Sequence, residues 1–287
     1  MINSDEQLQI ALEVMQRLQA EIPVGSLPFG PAESYDTEPQ LPPRYPAATS
    51  WQSPSLAELI RNIGPQPAYS ALIGLCEDGL PFMFDLSDPT PGSILIAGDS
   101  KSGKTRLLQA VLSSISALNS PDEVCYYMIT PKPVENQVIY QQAHCLDILS
   151  PDEQSASALI LDFAEIANQR RSGRERGPVT ILAVDDLSAL NYYMDDKVTR
   201  YLQWLLKYGP MVGVWVIGTI ASDVARKIDR RLIPAFSTRL IGQISSPSLA
   251  GLLSGYPDPV VETLESGKQF CILYGSEWIR FWIPEVR

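Results

Sequence analysis

Eight residues constrain this chain more than any others. Gly98-Asp99-Ser100-Lys101-Ser102-Gly103-Lys104-Thr105 reads GDSKSGKT and satisfies G-x-x-x-x-G-K-[ST] at every position. The flanks agree with it. The apolar run at 93–97 predicts a buried strand, and Leu107, Leu108, Val111, Leu112 and Ile115 then recur at helical spacing. Strand, small-residue turn and helix in that order let successive backbone N–H groups converge on an anion, and the positive end of the helix adds favourable potential. The pattern predicts a phosphate site made by Gly98, Asp99, Ser100, Lys101, Ser102, Gly103, Lys104, Thr105 and the adjoining Arg106. Lys104 would reach the β- and γ-phosphates and the Thr105 hydroxyl would enter a Mg²⁺ shell, so ATP with Mg²⁺ is the expected ligand pair.

A phosphate site alone only binds; turnover needs a carboxylate for the metal and a group to orient water. Residues 180–186, TILAVDD, form an apolar strand pattern that ends in two acids. Ligands of open parallel sheets sit at the carboxyl ends of the strands. Asp185 is therefore expected in the Mg²⁺ shell and Asp186 beside the attacking water. A helix N-cap is the competing role for either acid taken alone. Thr219 ends the apolar run 212–219 and is expected near the γ-phosphate, as a sensor of that group or as an ordinary strand-end residue.

Beyond the turn, the pattern alternates. Strands are predicted at 124–129, 145–149, 180–184, 212–219 and 238–244, and helices at 156–171, 198–208 and 223–232, with a short helix at 56–63. This is an α/β fold with a mainly parallel sheet and helices on both faces. Glu77-Asp78-Gly79 joins the runs 71–76 and 80–84 as a hairpin turn, and Gly275-Ser276 joins 269–274 to 278–283 as a closing C-terminal β-hairpin. Three regions follow. Residues 1–22 hold an amphipathic helix (Leu8, Leu12, Met15 and Leu18 on one face, Ser4 and Gln7 as a capping box), suited to docking a protein partner, to self-association or to simple packing. Residues 23–54, interrupted by prolines, read as a linker or strap, and 55–287 as the nucleotide-binding domain.

The formal net charge of −11 excludes a surface that is basic all over. Local basic clusters remain. Arg170, Arg171, Arg174 and Arg176 lie in NQRRSGRERG, and Arg226, Lys227, Arg230 and Arg231 follow Thr219. Such clusters can meet DNA phosphates, or can be solvated faces or salt bridges between subunits. No apolar run approaches the ~20 residues of a membrane span, and the N-terminus lacks a basic leader before an apolar block, so a cytoplasmic location is expected. Cys76, Cys125, Cys145 and Cys271 form no C-x-x-C pair and read as free thiols, and the lone His144 as structural.

The ordered set of stretches resembles the motor domain of FtsK/HerA-type DNA translocases. LPFMFDLSDPTPGSILIAGDSKSGKT is similar to that family's run into its phosphate turn, MITPKPVEN to its Asp-Pro-Lys segment and ILAVDDLSAL to its acidic strand. GVWVIGTIASDVARKIDRRLIPAFSTRLIGQISSP resembles its sensor region and GKQFCILY its closing strand, so the likeness covers about 70–283. It implies a RecA-like core that assembles as a ring, usually a hexamer, with ATP at the subunit boundary and double-stranded DNA in the pore. Lys104, Thr105, Asp185 and Asp186 match the family's positions. Arg239, in STRLIG, matches the family's arginine there, a candidate for completing a neighbour's site or, as an arginine before a strand often is, only a salt-bridge partner. A related ATPase acting on protein, of the secretion type, and a nucleotide-controlled scaffold with slow hydrolysis are the alternatives. Three departures bear on turnover: Asp186 stands where the family has Glu, Ile220 where it commonly has Gln, and Thr130 where it has an acid.

Overall fold

The computed structural model describes residues 54–256, 259, 261–275 and 277–286. The helix expected within 1–22 and all but the last residue of the 23–54 strap lie outside the described residues. The strands are β1 (Ser70–Cys76), β2 (Pro81–Asp85), β3 (Ile94–Gly98), β4 (Val124–Ile129), β5 (Cys145–Leu149), β6 (Val179–Val184), β7 (Val214–Ala221), β8 (Thr238–Gly242), β9 (Gln269–Tyr274) and β10 (Glu277–Trp282). The helices are α1 (Leu56–Ile63), α2 (Lys104–Leu118), α3 (Gln137–Tyr140), α4 (Gln154–Arg171), α5 (Leu187–Tyr193), α6 (Asp196–Tyr208), α7 (Leu232–Ala235) and α8 (Pro247–Ser254).

All ten strands join one sheet in the order β2-β1-β10-β9-β8-β3-β7-β6-β4-β5. From β8 to β5 every pairing is parallel; from β8 back to β2 every pairing is antiparallel. β3 and β6 are buried along their whole length and β7 at all but its last residue, as parallel strands covered on both faces must be. One face carries α4, α5, α6, α7 and α8, whose Phe163, Leu190, Leu202, Leu205, Leu232 and Leu253 pack on Leu95, Leu182 and Val216. The other carries α2, whose Leu107, Leu108, Val111, Leu112 and Ile115 lie with Trp215, Phe270 and Phe281. Here α1 adds Leu56 and Leu59 against Leu72 and Leu75. The architecture is the α/β fold expected from the alternation, a mainly parallel sheet with helices on both faces.

The two hairpins are neighbours in space, because β1 pairs with β10. Three strands, β10, β9 and β8, therefore separate the β1–β2 hairpin from the β3 strand that follows it in sequence. The helix expected at 223–232 is replaced by a short 3₁₀ turn, Ser222–Val224, and the four-residue α7. Asp229 explains the break. Its carboxylate accepts from the Arg231 backbone N–H at 2.9 Å and from the Arg231 guanidinium at 2.6–3.2 Å, a local turn that competes with helical bonding. Among the described residues no helix is long and apolar enough to cross a membrane.

Candidate nucleotide site

β7 lies between β3 and β6, so the ends of three parallel strands converge where the phosphate turn leaves the sheet. β3 ends at Gly98, and α2 starts at Lys104 behind Gly103, which adopts a left-handed φ of 93°. A side chain at Gly103 would also press on the Gly267 backbone at 3.0 Å, so glycine is required there on two counts. A side chain at Gly98 would collide with the Ser102 hydroxyl. That hydroxyl is fully buried inside the turn and has no hydrogen-bond partner.

Asp185 is the hub of the site. It follows β6, is 8% exposed, and accepts from Thr105 Oγ1 at 3.0 Å and Thr219 Oγ1 at 2.9 Å on the same oxygen. The Thr219 hydroxyl in turn accepts the Asp186 backbone N–H at 2.8 Å. Burial raises the Asp185 carboxyl above the ordinary carboxylate range, only partly opposed by the two threonine hydroxyls, with Asp186 adding to the rise. Lys104 shows the complementary behaviour. Burial lowers its pKa, while Asp185, Asp223, Asp99 and Asp186 push it back up. Its Nζ donates to the carbonyls of Gly98 (3.2 Å) and Asp99 (2.7 Å), which holds the ammonium against the turn.

These residues fit a metal-bound triphosphate. Mg²⁺ takes oxygen ligands at ~2.0–2.1 Å in an octahedron, whose adjacent ligands stand about 3 Å apart. The Thr105 and Asp185 oxygens are separated by 3.0 and 3.1 Å. The orphaned Ser102 hydroxyl, the bare Gly98 and Gly103 positions and the inward lysine suit phosphate oxygens.

The remaining predicted residues divide. The Asp186 carboxylate caps α5: its Oδ1 accepts from the backbone N–H groups of Ser188 (3.0 Å) and Ala189 (3.2 Å), and Asp186 itself has a left-handed φ of 73°. The capping role weighed from the sequence is thus present in the fold. Ser100 and Lys101 are exposed, and exposed Arg106 donates to Gly267 O at 2.9 Å. Arg239 pairs with Leu95, three residues before Gly98, and donates to Leu253 O at 3.2 Å. Its guanidinium is packed between β8 and the end of α8, away from its own phosphate turn. Arg170 is half-buried and ties α4 to the sheet through Gly213 O (3.0 Å) and Thr180 Oγ1 (3.1 Å), while Arg171, Arg174 and Arg176 are exposed. Their loop enters β6 and so lies at the opposite end of the parallel strands from the phosphate turn. Ile220 is fully buried in the core and Thr130 is fully buried too.

Three contributors escaped the sequence reading. Ser222 and Ser245 both bond the Asp99 carboxylate, and Asp223 adds negative charge near Lys104. Nothing in the local pattern singles out a serine just past a strand end.

Residues 66–171 match the FtsK/SpoIIIE family. A curated relative, the ESX-5 secretion system protein EccC5 of Mycobacterium marinum, is 26% identical over 200 residues, covering 57% of this chain and 14% of that one. Among solved structures, Thermomonospora curvata EccC (ATPases 2 and 3, with a signal sequence peptide) superposes with a TM-score of 0.62 at 20% identity, over 82% of this chain and 42% of that one. The pCW3 conjugation coupling protein TcpA with ATPγS gives 0.67 at 17% identity, over 83% and 71%. The chain thus spans about a seventh of the curated relative it matches. With its ordered motifs, its parallel core and its phosphate turn, the chain is similar to the FtsK/SpoIIIE family, whose match spans residues 66–171.

Proposed function

We propose that this domain binds ATP with Mg²⁺ and hydrolyses it to drive a ring of copies of itself along a polymer, in the cytoplasm. The observation that carries this reading is the triad of oxygens on Asp185. Thr105 from the phosphate turn, Thr219 from the intervening strand and the Asp185 carboxylate meet within 3.1 Å. Such an arrangement receives a metal at one end and reports on the γ-phosphate at the other. Bound Mg²⁺-ATP would supply the reactive phosphoanhydride. Lys104 would turn from the carbonyls to the phosphates, and Thr105 and Asp185 would hold the metal. Asp186 would steer water once it gives up part of its cap, which favours slow turnover. Arg239 is engaged with Leu253 O in its own chain, so its catalytic role would be toward a neighbouring subunit in the ring.

Double-stranded DNA is the polymer that the family likeness implies, with Arg171, Arg174 and Arg176 as its contacts. One observation favours a protein instead: the chain is acidic, and the arginine loop lies at the far end of the strands from the nucleotide. Phosphate release with and without duplex DNA, and with and without an unfolded acidic or basic polypeptide, separates the two. Stimulation by DNA that fades with salt supports the first reading. A rate indifferent to DNA but raised by polypeptide supports the second. Ring assembly with ATP and no phosphate release at all would leave a nucleotide-controlled scaffold, and Lys104→Ala that keeps full turnover would overturn the site.

A further inference from the structure

An acid inside an anion-binding turn is a puzzle. Asp99 is the second residue of GDSKSGKT, and a carboxylate there should repel a triphosphate. The structure resolves the puzzle by where the side chain goes. Oδ1 accepts from the Ser222 hydroxyl, and Oδ2 accepts from both the backbone N–H and the hydroxyl of Ser245, each at 2.8 Å. Ser222 lies just past β7, three residues after Thr219, and Ser245 lies in the segment after β8. The backbone of Asp99 is occupied as well. Its N–H donates to Gln243 O at 2.8 Å, and its carbonyl accepts from Ser102 N at 3.1 Å and Lys104 Nζ at 2.7 Å.

We infer that Asp99 is a positioning residue that holds the phosphate turn in its ligand-receiving shape by tying it to the ends of β7 and β8. This inference rests on the nucleotide-site reading and deepens it. Besides these backbone bonds and the Lys104 contacts, only the Asp99 side chain ties the turn to the ends of β7 and β8. Glycine is flexible in the unbound chain, and Lys101 sits at a left-handed φ of 66° that a lysine rarely adopts. Free, such a segment would sample many shapes, and ATP would have to order it on binding, which lowers affinity. Three bonds on one carboxylate remove that freedom beforehand. They also join the turn to the strand that carries Thr219 and to the strand that carries Arg239, so the three strand ends move as one body. Burial works against the Asp99 charge, but the Ser222 and Ser245 bonds and nearby Lys104 outweigh it and keep the carboxyl below its ordinary range, so it stays an acceptor.

The two explanations of Asp99 differ in sign. If its charge merely sits near the phosphates, Asp99→Ala removes repulsion and tightens ATP. If it is a strut, Asp99→Ala weakens ATP. The expected result is about a tenfold rise in the Kd for Mg²⁺-ATPγS with Asp99→Ala, the equivalent of losing ~1.4 kcal/mol. Asp99→Asn should recover most of that loss, because an amide oxygen still accepts from Ser245 and the Ser222 hydroxyl can rotate to accept from the amide. The nucleotide-free protein supplies an independent readout. Amide hydrogen exchange of residues 99–104 should accelerate in Asp99→Ala and, to a lesser degree, in the Ser222→Ala, Ser245→Ala pair, which keeps the Ser245 backbone bond, with no gain over Asp99→Ala when all three are combined. Tighter ATPγS binding, or exchange that matches the wild type, would overturn the inference. A wild-type chain that exchanges slowly at 99–104 yet binds no nucleotide would overturn the ATP reading while leaving the strut intact.

Discussion

Replacing Thr219 with valine tests the hub of the site most directly, because the two side chains have nearly the same shape. Only the hydroxyl goes, and it serves two buried partners: it donates to Asp185 Oδ1 at 2.9 Å and accepts the Asp186 N–H at 2.8 Å. Thr219 itself is 2% exposed, so water cannot replace either bond without disturbing the core. An unsatisfied buried donor costs about 1–3 kcal/mol, and a lost bond to a charged acceptor about 1.5–3 kcal/mol. The two losses share one oxygen and will not add fully; about 3 kcal/mol is the expected total. Against a typical domain stability of ~5–15 kcal/mol this is large. At about 2–4 °C per kcal/mol it lowers Tm by roughly 6–12 °C. Thr219→Ser is the control, since it keeps the hydroxyl and gives up a methyl group at ~0.8 kcal/mol. Urea denaturation followed by far-ultraviolet circular dichroism, without nucleotide, reads the difference. Valine and serine variants within ~0.5 kcal/mol of each other would refute the assignment of Thr219 as the link between the two aspartates.

Asp185→Asn should stabilise the nucleotide-free protein at neutral pH. Burial raises this carboxyl in the folded state, so its contribution favours folding at low pH and is lost as pH climbs from the unfolded value through the raised folded one. Melting curves from pH 4 to 8 should show the variant's advantage growing with pH; a variant less stable than wild type at pH 7 would contradict this. Arg170→Met should cost about 2 kcal/mol through its lost bonds to Gly213 and Thr180, yet leave the salt dependence of any DNA binding unchanged. An altered salt slope would place Arg170 on the DNA surface after all. Arg239→Ala, mixed with Asp185→Asn, should regain part of the turnover that each variant lacks alone, since mixed rings contain sites with both groups intact. Mixtures as inactive as their parts would confine Arg239 to its contact with Leu253.

The sequence disclosed the regular elements where hydrophobic period and length agreed. β4, β5, β9 and α1 fall at the residues their patterns mark, and the alternation of strand and helix already implied the parallel half of the sheet. Other features depend on partners distant in sequence. α5 begins because the Asp186 carboxylate caps it, and that acid also follows an apolar strand, so the same two letters support a cap or a catalytic base. α8 and the 133–140 segment are short, and their exposed or small residues give little period to read. The insertion of the C-terminal hairpin between β1 and β8 is set by which edge each hairpin can reach, a matter of packing alone. The Asp99 bonds were equally hidden, since Ser222 and Ser245 stand 123 and 146 residues away.

The pairing of Ser55 with Glu285 has a consequence for how the domain can be used. Glu285 N–H donates to Pro54 O and Leu56 N–H to Glu285 O, both at 2.9 Å, so the fold's entrance and exit share a doorway. A unit built this way can be threaded onto a longer polypeptide like a bead, with its ten strands undisturbed by what is attached before or after. Serial duplication then requires only a short connector at one spot, a plain physical route from a single module to chains that hold several.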